Sequence, residues 1–251
     1  MRFLLRIKDG YGERLRDGVA RFLERNGCDW TGDLGKKCDF AVILGGDGTL
    51  LRDQSELDCP VLGVNPGKSV GYYLRATKDD YEEKLLRLIN GKQGKDYHVH
   101  SLTRLEASVN GRAMKSLALN DVLVSPIYVR RVLKASIELH TGRSVERNSG
   151  IIVYTPTGSH AFAHSAGARM LPYDSKSMGI AAFAPYSGTL KKSEILLDRG
   201  PVKIECLSEE GEVCIDGSEV NIKEIKEGDI VTVEKSGSPF RLVGFSSRFE
   251  S

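Results

Sequence analysis

A glycine-rich run, LGGDGTLL at 44–51, contains the residue best suited to chemistry, Asp47. Three glycines within four residues let the backbone adopt positive φ and leave no Cβ in the way of a ligand. The run joins the apolar segment FAVIL (40–44) to a helix-like segment, and phosphates bind at such strand-to-helix turns. A carboxylate beside phosphates is repelled unless a cation or a hydroxyl donor is also present. The run predicts a phosphate site with Asp47 as a base or metal ligand; a tight turn capped by the aspartate is the alternative.

Three further segments place polar residues directly after apolar runs. They are GVNPGKSVGY (63–72), Asn120-Asp121 between SLAL and VLVSP, and YTPTGSHAF (154–162) after GIIVY. Hydroxyls and open backbone amides at turns of this kind can bind a polar ligand. For the first two segments an ordinary turn or loop remains the alternative. The chain has neither G-x-x-x-x-G-K-[ST] nor G-x-G-x-x-G, so neither a P-loop ATPase nor an ordinary Rossmann dehydrogenase is indicated.

The predicted secondary structure that would carry these segments changes near residue 97, from alternating strands and helices to short strands. Before it, strand patterns (2–8, 40–44, 60–64) alternate with helix patterns (13–27, the TLLRDQSEL segment, 79–91), which predicts a Rossmann-like parallel sheet. After it come short strands, with Asn110-Gly111 predicting a type I′ hairpin turn. We expect an α/β N-terminal domain over 1–97 and a β-rich C-terminal domain over 98–235. The tail of about 236–251 could return to the first domain.

Composition narrows the class of protein further. With 251 residues the chain predicts one large domain or two modest ones. Its 36 basic and 34 acidic residues are mixed along the chain, which argues against a nucleic-acid or membrane-surface partner. No run approaches the roughly 20 apolar residues that span a bilayer. The five scattered cysteines form no C-x-x-C pair, which favours reduced thiols in a cytoplasmic protein, a zinc site being the minor alternative.

The four segments, in this order and spacing, resemble the NAD kinase family. The later runs APYSGTL (184–190) and IDGSE (215–219) resemble it as well, so the likeness covers nearly the whole chain. GGDGT alone is less specific, because the related diacylglycerol and sphingosine kinases carry a similar loop. The resemblance implies an N-terminal α/β domain, a β-rich NAD-binding C-terminal domain and transfer of a phosphoryl group to the adenosine-ribose 2′-hydroxyl of NAD. ATP or polyphosphate would be the donor, with Mg²⁺ or another divalent cation.

The resemblance also implies roles for individual residues. Asp47 would be the catalytic aspartate that draws the proton from the 2′-hydroxyl, and Gly46 and Gly48 would let phosphates approach. Asn120 and Asp121 would contact the adenosine moiety of NAD. The other positions assigned to substrate or cofactor binding are Thr49, Arg52, Asn65, Gly67, Tyr72, Thr157, Ser159, His160, Ala161, Phe162 and Ser165.

Several positions depart from the family pattern. Ser149 stands for the usual Asp, Asp121 for Glu, His160 for Thr and Phe162 for Tyr, and the second loop is one residue longer. These departures leave open a non-catalytic NAD(P)- or nucleotide-binding sensor on the same fold. A related lipid kinase is a further alternative, although no membrane-binding helix is evident. By analogy with the family we expect a homodimer or homotetramer.

Overall fold

The computed structural model describes residues 1–7, 13–67, 71–128, 130–190, 195–197 and 200–249, with side chains except at 195–197. Within these residues the chain divides into two compact units. The first contains Met1–Ser101 and returns from Phe240 onward, and the second contains Leu102–Pro239. In the described part of the chain no helix combines the length and apolar character needed to cross a membrane.

The first hundred residues alternate strands and helices. In order they are β1 (Arg2–Ile7), α1 (Glu13–Arg25), β2 (Asp29–Thr31), β3 (Phe40–Leu44), α2 (Asp47–Asp53), a 3₁₀ turn (Gln54–Glu56), β4 (Val61–Asn65), β5 (Leu74–Thr77), α3 (Tyr81–Asn90) and β6 (His98–Leu102). α1 is amphipathic and buries Val19, Ala20 and Leu23. It ends before Gly27, whose φ of 70° suits a glycine after a helix.

The second region consists mainly of strands. They are β7 (Leu105–Val109), β8 (Arg112–Ala113), β9 (Asp121–Ser125), β10 (Leu133–Leu139), β11 (Gly142–Asn148), β12 (Gly150–Tyr154), β13 (Met178–Phe183), β14 (Ile195–Leu197), β15 (Val202–Cys206), β16 (Glu210–Ile215), β17 (Ile222–Lys226), β18 (Ile230–Lys235) and β19 (Phe240–Gly244). A short helix α4 (Phe162–Ser165) and 3₁₀ turns at Gly158–His160 and Glu219–Asn221 interrupt them.

The first unit is built on one sheet with the order β2-β1-β3-β4-β19-β6, and β5 also pairs with β4. The pairings of β1 with β2 and β3, and of β4 with β3, β5 and β19, are parallel. All five residues of β3 are buried, as expected of a parallel strand covered on both faces. The carboxyl end of β3 leads directly into the glycine-rich run, and β4 leads into the second loop.

The second unit contains two antiparallel sheets, β11-β10-β15-β18-β7-β8 and β14-β13-β12-β9-β16-β17. A single apolar core takes side chains from both sheets, including Leu105 and Val231 from the first and Val122 and Ile151 from the second. β9 and β12 are neighbours in the second sheet, so Asn120-Asp121 and the turn after Tyr154 emerge side by side.

The fold class expected from the sequence is confirmed, with differences in detail. Asn110 and Gly111 have φ of 51° and 75°, and Val109 pairs with Arg112 as in a type I′ hairpin. The segment YHVHSLTRLEASV (97–109) contains two strands: β6 joins the first sheet, and β7 belongs to the second unit. β2 and β5 were not predicted, because three or four residues give too little periodicity. The five cysteines are free thiols.

Candidate functional site

The Asp47 carboxylate is fixed by the backbone of the second glycine loop. Its Oδ2 accepts the N–H of Tyr72 at 2.7 Å and its Oδ1 accepts the N–H of Tyr73 at 3.0 Å. In the same loop, a side chain at position 45 would not fit, because a Cβ on Gly45 would overlap the side chain of Thr49. The structure therefore brings the segments 44–51 and 63–72 together, and two amide donors orient one carboxylate. Tyr73 was not singled out from the sequence, because its contribution comes from the backbone.

The other predicted residues near this loop have structural partners. Asn65 Oδ1 accepts the N–H of Gly67 at 2.8 Å, which closes a tight turn with Gly67 at a φ of 90°. Thr49 is buried. Arg52 donates from Nε to Asp53 at 2.8 Å and keeps 39% of its side chain exposed. Residues 68–70 of the second loop lie outside the described residues.

Asp53 is a structural acid close to the loop. Arg6 Nε donates to its Oδ2 at 2.9 Å, and Arg52 holds the other oxygen. Burial raises the pKa of Asp53, but the hydrogen bonds from Arg52 and Arg6 outweigh burial and hold the pKa below its ordinary value. Asp53 therefore stays ionised and anchors α2 to β1.

The second unit contains a pocket of about 320 Å³. Its lining combines four predicted residues, Asn120, Asp121, Ala161 and Phe162, with three others, Leu123, Asp216 and Gly217. Phe162 is 42% exposed and packs against Phe183 with 5.5 Å between ring centroids. The pocket offers an aromatic and aliphatic wall facing a pair of acids. Such a surface suits a planar heterocycle joined to a group that bears hydroxyls.

Asp216 organises the acidic side of this pocket. Its carboxylate accepts three backbone N–H groups, from Leu119 at 2.9 Å, Asn120 at 2.7 Å and Asp121 at 3.1 Å. Asp-Gly pairs are typical of turns, and positive φ at both Asp216 and Gly217 shows a turn here. The IDGSE resemblance was the one signal that placed this segment near the site. The turn directs a carboxylate at three consecutive amides of the 119–121 segment.

Both acids have pKa values well above the ordinary value of 3.8. Burial and, to a smaller extent, the negative charge of Asp216 together raise the pKa of Asp121 to about 7. Burial raises the pKa of Asp216 to about 6, although the three amide hydrogen bonds oppose the rise. At pH 7 Asp121 is therefore partly protonated, and the ionised carboxylates of this wall can accept hydrogen bonds from hydroxyl groups.

The hydroxyls of the TPTGS turn lie beneath the pocket. Thr155 and Thr157 both donate to the carbonyl of Leu119, at 2.6 and 3.0 Å. Ser159 Oγ donates to the carbonyl of Pro156 at 2.6 Å and accepts the N–H of Leu171 at 2.9 Å. The two threonine hydroxyls thus hold the backbone next to Asn120, and Ser159 holds the turn that precedes Ala161 and Phe162.

Besides Thr157 and Ser159, two further predicted residues of the second unit lie outside the pocket lining. His160 and Ser165 are exposed on the turn and on α4. His160 and His164 have the spacing of paired metal ligands, but within the described residues no group of three or more His, Cys, Asp or Glu side chains could hold a metal ion.

Comparison with known proteins covers nearly the whole chain. The profile of the ATP-NAD kinase N-terminal domain matches residues 17–93, and that of the ATP-NAD kinase C-terminal domain matches residues 92–245. The chain is 30% identical to the NAD kinase of Treponema denticola over 240 residues, covering 91% of this chain and 82% of that protein. It is 32% identical to the NAD kinase of Chlorobium luteolum, covering 86% and 75%.

Solved structures share the fold. An NAD kinase from Archaeoglobus fulgidus in complex with ATP superposes with a TM-score of 0.75 at 23% identity, over 99% of this chain and 94% of that chain. Yeast NADH kinase complexed with NADH gives a TM-score of 0.85 at 17% identity, over 99% and 84%. With both domain profiles matched in order and relatives of at least 30% identity, the chain belongs to the ATP-NAD kinase family.

Proposed function

We propose that this chain is an NAD kinase, a phosphotransferase that moves the terminal phosphoryl group of ATP onto the 2′-hydroxyl of the adenosine ribose of NAD and so forms NADP. Membership of the ATP-NAD kinase family supports the reaction. The observation that carries the proposal is the Asp47 carboxylate, held by the amides of Tyr72 and Tyr73 in the glycine-rich loop. The chain thus retains a fixed acid where a phosphotransferase needs a base.

We assign Asp47 the role of general base. The 2′-hydroxyl oxygen attacks the terminal phosphorus of ATP, the bond from that phosphorus to the bridging oxygen of ADP breaks, and Asp47 receives the hydroxyl proton. Each carboxylate oxygen accepts one amide hydrogen bond and keeps a second lone pair for this proton. General-base assistance contributes roughly 10²–10⁴-fold to a rate. Positioning and electrostatic stabilisation supply most of the remaining catalysis in phosphoryl transfer.

We assign the adenosine moiety of NAD to the pocket of the second unit. Phe162 and Leu123 offer apolar surface to the adenine ring, while Asn120 and Asp121 offer hydrogen bonds to its edge and to ribose hydroxyls. Thr157 and Ser159 act by holding the pocket backbone, since their hydroxyls already have partners inside the protein. On the resemblance, Gly46, Gly48, Thr49, Arg52, Asn65, Gly67, Tyr72, His160 and Ser165 remain proposed binding residues.

The phosphoryl donor and the cation can be assigned together. We propose ATP as the donor, with inorganic polyphosphate as the alternative, and Mg²⁺ bound with the donor phosphates. The cation would screen their negative charge beside Asp47.

The experiment incubates the purified chain with NAD and Mg²⁺ plus either ATP or polyphosphate, and measures NADP by chromatography. NADP formed with ATP supports the assignment. NADP formed with polyphosphate but not with ATP would identify polyphosphate as the donor. Tight NAD binding without NADP formation from either donor would indicate that the chain is a sensor.

We also propose a cytoplasmic homodimer or homotetramer. Support for assembly comes from apolar surface at the edge strand β11, where Val145 is 51% exposed. Tyr186, which is 78% exposed, lies beside this strand, because its N–H donates to the carbonyl of Arg147. The five free cysteines are compatible with a reducing compartment. Light scattering coupled to gel filtration measures the assembly: a mass of two or four chains is expected, and a single-chain mass would contradict it.

A further inference from the structure

A C-terminal aromatic residue packs against the loop that fixes Asp47. Phe249 is only 9% exposed although it lies at the end of the described chain. Its ring centroid lies 5.5 Å from that of Tyr72 and 5.8 Å from that of His100. The guanidinium carbon of Arg75 lies 4.5 Å from the same centroid, within cation–π range. The tail thus inserts a ring among three side chains of the first unit.

Arg75 connects this ring to the backbone around Asp47. Its Nη1 donates to the carbonyls of Tyr72 at 2.7 Å and Leu74 at 3.0 Å. The amides of Tyr72 and Tyr73, in the same short segment, donate to Asp47. The amides of the 72–75 segment therefore hold the catalytic carboxylate of Asp47. The carbonyls of the same segment are held by the guanidinium of Arg75, against which Phe249 packs.

The electrostatics favour this packing. Burial lowers the pKa of His100. A hydrogen bond from its imidazole to the backbone of Ser246 opposes this change, and the neighbouring charges of Arg75 and His98 lower the pKa as well. The imidazole is therefore neutral at pH 7, and Arg75 is the one cation against the Phe249 ring among the contacts described. A guanidinium over an aromatic face is attracted by the negative face of the ring, and the attraction strengthens as the pair is desolvated.

We propose that Phe249 is a positioning residue for catalysis: its ring braces the 72–75 segment and so fixes the orientation of the Asp47 carboxylate. The inference rests on the proposed function, because it assigns the reaction to Asp47. It gives the C-terminal tail a role in turnover that the glycine-rich motif does not reveal. Displacing a catalytic group by about 1 Å can cost 10²-fold in rate, so loss of the brace should reduce turnover more than substrate affinity.

The test compares Phe249→Ala with wild type in two measurements. In the NADP-forming assay we expect kcat to fall by about tenfold or more while KM for NAD changes by less than about threefold. In hydrogen–deuterium exchange we expect faster exchange of the Tyr72 and Tyr73 amides. Phe249→Tyr, which keeps the ring, should restore both values, and Phe249→Leu should restore neither in full.

Phe245 provides a matched control. Its ring lies in the same tail, 4.8 Å from Lys84 Nζ and 4.8 Å from the Arg87 guanidinium, both on α3. Phe245→Ala removes the same kind of contact without touching the 72–75 segment, so kcat and the two amides should stay near wild type.

Several outcomes would overturn the inference. One is a Phe249→Ala variant with wild-type kcat and wild-type amide exchange. Another is an equal loss of kcat in Phe245→Ala, because that result would indicate general destabilisation. If Phe249→Ala does not fold, Phe249→Leu with an intact circular dichroism spectrum and wild-type kcat and exchange would refute it. Failure of the proposed function would appear separately, as wild-type protein that forms no NADP. In that case, exchange of the Tyr72 and Tyr73 amides in Phe249→Ala still tests whether Phe249 holds the 72–75 segment.

Discussion

At the scale of single residues, the most unusual feature is a pair of acids in the pocket of the second unit. The pKa of Asp121 rises to about 7 and that of Asp216 to about 6, from an ordinary value of 3.8. Between about pH 4 and 7 the folded protein therefore holds protons that the unfolded chain releases. The stabilising contribution is complete below the unfolded value and is lost as the pH rises through the folded values.

Asp121→Asn should remove most of this pH dependence. The amide cannot ionise, so the variant avoids the cost of a second buried charge at alkaline pH. We expect the melting temperature of wild type relative to Asp121→Asn to fall by a few degrees between pH 5 and pH 8, measured by differential scanning fluorimetry. Glu224→Gln, at an exposed acid of β17, serves as the control and should leave the slope unchanged. Parallel curves for wild type and Asp121→Asn would refute the pKa assignment.

Residues within a motif could be predicted more readily than their long-range partners. Asp47, Asn120 and Asp121 stand out because glycines or apolar strands flank them. Asp216 resembles any Asp-Gly turn, and its partner Asp121 lies 95 positions earlier in the chain. Tyr72 and Tyr73 hold Asp47 through backbone amides, which every residue except proline has. Side-chain patterns therefore could not reveal either arrangement.

At the scale of elements, the turn after β12 supports the pocket from below. A Cβ on Gly158 would overlap the backbone of Asn120, and Thr155 and Thr157 clamp the carbonyl of Leu119. The sequence predicted a ligand-binding turn, but the buried hydroxyls point inward. Local pattern shows that a turn exists; the neighbouring strand decides which groups of the turn reach solvent.

Gly158→Ala should therefore harm both stability and NAD binding. Overpacking of this kind typically costs about 1–3 kcal/mol, and the displaced Asn120 would weaken NAD binding by about tenfold or more. Urea unfolding and isothermal titration calorimetry measure the two effects. Gly237→Ala, where a Cβ meets no atom within 4 Å, is the control and should resemble wild type. Wild-type affinity in Gly158→Ala would show that the close approach is dispensable.

At the scale of the whole molecule, the chain returns at its end to the unit in which it begins. β19 lies between β4 and β6 in the first sheet, and Leu242, which is fully buried, pairs with Val61. The parallel alternation of the first ninety residues could be predicted from the sequence. The return of the tail of about 236–251 to the first domain could also be expected from the sequence. The position of FRLVG between β4 and β6 could not be predicted, because a short apolar strand does not specify its neighbours.

Leu242→Ala tests the contribution of this returning strand. Removing a fully buried leucine side chain costs about 2–5 kcal/mol, so the melting temperature should drop by several degrees. Arg241→Ala, at the exposed neighbouring position, should change it by about a degree or less. Equal melting temperatures for the two variants would show that β19 adds little to the stability of the first unit.

We propose that Asp47 removes the proton from the 2′-hydroxyl of NAD during phosphoryl transfer from ATP. The most direct test of this proposal is the rate of NADP formation by wild type and Asp47→Asn under saturating NAD, ATP and Mg²⁺. We expect a loss of about 10²–10⁴-fold in kcat, with NAD affinity close to wild type and with Asp58→Asn, at an exposed acid, fully active. Wild-type turnover by Asp47→Asn, or wild-type protein that forms no NADP from either donor, would contradict the account.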